Sequence, residues 1–173
     1  MFDDLVGAWL LVWTIRLSVV CYLIRIAIGM RGGLIGCIPS TAVCVCWAAG
    51  CALYVSHVIC AFEYSHDWSH AAAVEHTALE TDRVVGVRRG EGVWVNYAFT
   101  LIWIADVFRL IYLNHNSSST EARTDRLIHI TFAFIFFNAT VVFGPEIYRL
   151  AMVPVLVGLL CIRYLSKRKT AAS

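Results

Sequence analysis

Apolar residues run through this chain in long unbroken stretches, not at the spacing of an amphipathic helix or strand. Five stretches stand out: Leu5–Met30, Leu34–Phe62, Val93–Leu113, Leu127–Gly144 and Ile147–Leu165. A helix that is apolar on every side faces lipid, and about 20 residues at 1.5 Å rise cross a hydrocarbon core of about 30 Å. The pattern predicts an all-α integral membrane protein, a bundle of about five transmembrane helices forming one domain over residues 1–173. The last two stretches are short and meet at Gly144-Pro145-Glu146, which reads as a tight turn with Pro145 opening the next helix. Four spans with a re-entrant end are the alternative.

Between the second and third stretches the pattern changes. Four of the six histidines lie between His57 and His76, and six of the twelve acidic residues between Glu63 and Glu91. From Glu63 to about Val85 there are good helix formers and no Pro or Gly, and Gly86 follows as a stop signal. On a helical wheel Glu63, His66, His70, His76 and Glu80 share one arc with Ser69, Ala73, Thr77 and Thr81. Trp68, Ala71, Ala72, Val74, Ala78 and Leu79 take the other side. This spacing predicts one amphipathic helix over about 63–85, in the loop between spans two and three, lying on the membrane surface.

Composition agrees with the pattern. The chain is 60% hydrophobic and 15% charged, with a mean hydropathy of +0.71, which excludes an ordinary soluble domain. A net charge of +2 with no basic stripe excludes nucleic acid as a partner. The placement of the charge says more. With the N-terminus outside, inner ends and loops collect Arg25, Arg31, Arg109, Arg123, Arg126, Arg163, Lys167, Arg168 and Lys169. The outer side collects only Arg83, Arg88, Arg89 and Arg149, so the positive-inside rule predicts N-out and C-in. The expected location is the plasma membrane, the inner membrane if the cell is bacterial. Asp3 and Asp4 replace the basic start of a signal peptide, so the first stretch is expected to stay as a membrane helix.

The seven cysteines fall in or at the edge of apolar runs and read as small lipid-buried residues rather than a disulfide framework. Along the second span Gly32, Gly36, Ser40, Cys44, Ala48, Ala52 and Ser56 recur every fourth residue, and Cys37, Cys44 and Cys51 every seventh. Small residues at such spacing let membrane helices approach closely. The face suits other membrane subunits or a second copy of the chain as partners, alongside the lipid bilayer.

Two groups of residues carry candidate chemistry. Arg16 lies about eleven residues below the outer end of span one, and Asp106 about thirteen below that of span three, so their depths agree within roughly 3 Å. A charge at mid-membrane costs about 2.5–3.5 kcal/mol on insertion scales, so such residues pair. The natural pair is Arg16–Asp106, with Arg109 as competitor or third member and His129 near the same leaflet. The cluster reads either as a polar clasp between helices or as an ion path. The second group is metal-like. His66 and His70, one turn apart on a helix, can face one metal ion, and Glu63 precedes His66 at the Glu-x-x-His spacing of di-iron bundles. His76 or Glu80 would add a ligand if the helix bends. A transition metal (Zn, Fe or Cu) is the implied cofactor. A di-iron bundle needs that motif twice, and this chain has it once.

Serine-nucleophile motifs, Walker loops and dinucleotide fingerprints do not occur. The sequence therefore favours a membrane protein without catalytic machinery, an accessory, assembly or structural subunit. Two alternatives stand beside it: a metal-binding protein or oxidoreductase using Glu63, His66 and His70, and a small transporter using Arg16 and Asp106.

Overall fold

The computed structural model describes residues 2–30, 40–112 and 119–172. In chain order these form α1 (Phe2–Met30), α2 (Ser40–Ser65), α3 (His70–Val85), α4 (Gly92–Tyr112), α5 (Ser119–Phe137), a π-helical turn (Asn138–Val142) and α6 (Glu146–Ala172). No strand occurs among the described residues. Four helical segments are long and apolar enough to cross a membrane: Leu5–Ile28, Thr41–Ser65, Gly92–Tyr112 and Glu146–Leu165. These correspond to the first, second, third and fifth apolar stretches. The fourth appears as a shorter apolar helix, Arg126–Val142, about 25 Å long if regular. The first residues expected for span two, 34–39, lie outside the described residues.

The chain's contacts gather into two compact units, Met1–Val74 with Val155–Ser173, and Glu75–Pro154. In the first unit, α1 and α2 form an antiparallel pair. Gly7 meets Tyr64, Leu11 meets His57, Ser18 meets Gly50 and Cys21 meets Cys46, so the order along one helix reverses along the other. The contact is close because small residues allow it. A Cβ on Gly7 would lie 2.5 Å from Tyr64 Cγ, and the Ser18 hydroxyl donates directly to the Gly50 carbonyl at 2.9 Å. Tyr22 and Trp47 close the middle of the pair, both nearly inaccessible, with ring centroids 6.1 Å apart.

In the second unit, Phe99 and Trp103 of α4 interlock with Phe132 and Phe136 of α5. Phe99 and Phe132 lie 4.4 Å apart by centroid, and Trp103 meets Phe132 edge-on at 5.1 Å. Such aromatic pairs contribute about 0.5–1.5 kcal/mol each beyond their area, and here they form the core between two helices. Beyond Phe137 the helix widens. The Asn138 amide donates to Phe134 O at 2.8 Å and the Thr140 hydroxyl to Phe136 O at 2.6 Å. Arg149 Nε then donates to Val141 O at 2.8 Å, satisfying a carbonyl at the helix end. A Cβ on Gly144 would collide with the Thr140 carbonyl, which makes glycine necessary at this turn. Pro145 sits just before α6 rather than inside its first turn, and its carbonyl accepts from Tyr148 N.

The single helix expected over 63–85 is two helices. α2 ends at Ser65, and Asp67 and Trp68 both adopt left-handed backbone, with φ of 45° and 55°. Trp68 N donates to Phe62 O at 3.0 Å, six residues back, and the Trp68 ring packs on Phe62 at 5.9 Å. That bond reaches one residue further back than the Schellman bond, because two successive residues, Asp67 and Trp68, take the left-handed conformation that ends the helix. Ser69 then caps α3, its hydroxyl accepting from Ala72 N at 3.2 Å. α3 closes where the sequence expected, at Gly86, whose φ is 74°.

Candidate functional site

The break at residues 66–69 reshapes the metal candidate. Its geometry required His66 and His70 one turn apart on one helix, but His66 lies in the turn and His70 opens α3. Glu63, on the last turn of α2, accepts a hydrogen bond from Trp68 Nε1 at 2.6 Å, which holds its carboxylate against the turn. His66 meets Phe62 edge-on at 5.7 Å. His76 and Glu80 lie on α3 in the second unit, whereas Glu63, His66 and His70 belong to the first. Among the described residues no three His, Cys, Asp or Glu side chains gather closely enough to hold a metal ion.

Three charged side chains of α3, Glu75, Glu80 and Arg83, are paired. Arg83 donates from Nε and Nη2 to Glu80 Oε2 at 3.0 and 2.6 Å, and Arg88 forms an ion pair with Glu75. Hydrogen bonding from Arg83 holds the Glu80 carboxyl below its ordinary value, and the carboxylate in turn raises Arg83. Along α3 Ala73 and Ala78 are buried, while Trp68, Leu79 and Val85 are exposed. The helical wheel sets Ala73 on the wet arc with His70 and His76; on α3 it is buried while both histidines are exposed.

Within the spans, polar side chains bond both within one helix and between helices. Asp106 is buried on α4 and takes a 2.7 Å contact from Arg109 Nε, one turn on. Arg109 was foreseen as a competitor or third member for Asp106. Arg16 sits 5.4 Å over the Trp13 ring as a cation–π contact and belongs to the first unit, Asp106 to the second. His129 is half-buried on α5. Two further contacts have no counterpart in the sequence reading. Ser18 reaches the Gly50 carbonyl, and His57 Nδ1 lies 2.9 Å from Leu11 O. A carbonyl only accepts, so Nδ1 carries the proton. Gly50, the one glycine in described α2, was the available signal for the first of these.

The small-residue ridge of α2 is not the seam that α1 uses. The face toward α1 carries Cys46, Trp47, Gly50, Cys51, Tyr54 and His57. On the ridge, Cys44 and Ala48 are half-buried and Ala52 and Ser56 exposed. Gly32, Gly36, Cys37 and the side chain of Ser40 lie outside the described residues. α6 is outward-facing as well: its apolar window contains no buried residue, with Ile147, Leu150, Val153, Leu156, Val157 and Leu160 all exposed.

Compared with known proteins, the chain matches no family model, no curated protein and no solved structure.

Proposed function

We propose that this chain is a non-catalytic integral membrane subunit that assembles with another membrane helix through the ridge of α2. The observation that carries the reading is the use made of its intramembrane polar groups. Ser18 and His57 each bond across the α1–α2 pair, and Asp106 is paired with Arg109 within α4, uses that suit a structural role rather than a reaction centre. The exposed ridge at Ala52 and Ser56 is the surface the proposal gives to the partner, with the apolar α6 facing lipid.

The proposed topology has five spans, with N-out and C-in. The helix Arg126–Val142 falls only about 5 Å short of a typical hydrocarbon core, a mismatch that local thinning and a snorkelling Arg126 absorb. α3 then lies on the outer side, and exposed Trp68 and Leu79 offer it apolar contacts with the interface.

Ala52→Leu tests the assembly. The residue is exposed, so the change leaves the α1–α2 pair intact but blocks close helix approach. Native-size analysis of the full chain extracted in mild detergent from its own membrane is expected to show a complex. Ala52→Leu is expected to shift most of it to the monomer at unchanged thermal stability. Monomeric wild-type protein, or a complex indifferent to Ala52→Leu, overturns the reading.

A further inference from the structure

The α1–α2 pair brings two thiols from different helices together. Cys46 Sγ lies 3.4 Å from the carbonyl oxygen of Cys21. A carbonyl oxygen lies only about 2.4 Å from its own Cα, so Cys46 Sγ already sits beside the Cys21 backbone. One turn away, the direct Ser18–Gly50 bond keeps the helices at close range. Cys21 and Cys46 are both half-buried free thiols. Cys21 lies about 10 Å inside the Ile28 end of its span and Cys46 about 8 Å inside the Thr41 end of its own, so the two share one depth.

We propose that Cys21 and Cys46 form a redox-active dithiol that closes to a disulfide between α1 and α2. A disulfide needs a Cα separation of about 4.4–6.8 Å; within a helix contact this close, rotamer adjustment of the two side chains brings the sulfurs together. The oxidant is a small apolar disulfide that partitions into the membrane. One cysteine sulfur, as the thiolate, attacks a sulfur of that molecule; its sulfur–sulfur bond breaks and one small thiol departs with a proton. The second cysteine attacks the protein-side sulfur of the mixed disulfide, and the second small thiol departs with the second proton. The two protein thiols are oxidised by two electrons, and the small disulfide is reduced to two thiols. Closure converts a hydrogen-bonded helix pair into a covalent hairpin; reduction restores it. The proposal depends on neither the number of spans nor their orientation.

Dithiodipyridine, used below stoichiometry on the full chain in detergent micelles, is the probe. After alkylation of the remaining thiols and proteolysis, mass mapping is expected to show a Cys21–Cys46 linked peptide lacking two hydrogens as the main product. It should form at least about ten-fold faster than pyridyl capping of Cys44, another half-buried thiol of α2. In Cys21→Ser the reaction is expected to stop at a stable pyridyl disulfide on Cys46. The linked form is expected to unfold at a higher temperature, and a reductant should reverse the shift. Separate pyridyl groups on Cys21 and Cys46 in the wild type overturn the proposal, as does a dominant link between other cysteines. If Cys21→Ser does not fold, the wild-type peptide map alone decides.

Discussion

Replacing Asp106 separates a clasp from an ion path. The carboxylate is 5% exposed and its partner Arg109 21% exposed, with Nε and Oδ1 2.7 Å apart. Removing one member of a buried ion pair costs roughly 3–5 kcal/mol, because the other charge stays where water reaches it poorly. Arg109 keeps some exposure and a long flexible stem, so Asp106→Ala belongs at the low end, about 3 kcal/mol. Arg109→Ala is expected to cost more, since it takes the cation from a carboxylate that is almost fully enclosed. Asp106→Asn retains shape and a neutral acceptor, losing only the charge-assisted part of the bond, about 1–2 kcal/mol. The double variant Asp106→Ala/Arg109→Ala should cost less than the sum of the singles, by about 0.5–3 kcal/mol of coupling. Equilibrium unfolding in mixed micelles, followed by tryptophan fluorescence, reads all four, because Trp103 is fully buried one turn from Asp106. Single variants within about 0.5 kcal/mol of wild type, or strict additivity, would refute the clasp. Asp106→Asn with normal stability but no pH-dependent flux in liposomes would assign the residue to transport instead.

Three further outcomes are expected. Gly7→Ala drives a Cβ to 2.5 Å from Tyr64 Cγ, so it should destabilise the α1–α2 pair by about 1–3 kcal/mol in the same unfolding assay, with recovery when Tyr64→Ala is added. Asp67→Gly relaxes a left-handed backbone at φ 45° and is expected to stabilise by about 0.5–1 kcal/mol, whereas Asp67→Val should destabilise by at least about 1 kcal/mol; the opposite order would remove the left-handed turn as the account of the break. Glu80 titrates below its ordinary 4.5 because Arg83 donates to it, so the pair's contribution is present above that value and lost as pH falls through the lowered one. A carboxyl NMR titration should show this low midpoint, and Arg83→Gln should return it to the ordinary range; both groups are largely exposed, so the effect on stability is small.

Much of the architecture was legible because spanning a membrane imposes one long apolar run per helix. Leu5–Ile28, Thr41–Ser65, Gly92–Tyr112 and Glu146–Leu165 each fall on a run read from sequence. The fourth run was legible as apolar but not in its local form. Asn138 and Thr140 bond back to Phe134 and Phe136 and accompany a π-helical turn, which hydropathy does not register. The polar island failed differently. Absence of Pro and Gly from Glu63 to Val85 argued for one helix, yet Ser69 was a readable N-cap and Phe62 and Trp68 a readable apolar pair across a helix end. Local capping outweighed bulk helix propensity. The small-residue ridge shows a different limit of spacing. Spacing identifies a face without identifying its partner, and α1 took the neighbouring face, where Gly50 admits Ser18 and Cys46 meets Cys21.

The bonding of the polar groups bears directly on function. A reaction centre in a membrane needs polar groups that can exchange partners, because substrate must displace something. Ser18 is instead fully enclosed against a backbone carbonyl, and the His57 proton is directed at another. Breaking either contact would leave a side-chain donor without its acceptor in a medium without water, at a cost of about 1–3 kcal/mol per group. Two such contacts along one antiparallel pair make α1 and α2 resistant to sliding, since neither helix can shift by a residue without losing both. A rigid pair of this kind suits presentation of a fixed surface to a partner helix, which is the role proposed for the ridge at Ala52 and Ser56. The Cys21–Cys46 dithiol lies on the same seam, so closing it would fix that pair covalently while leaving the ridge uncovered.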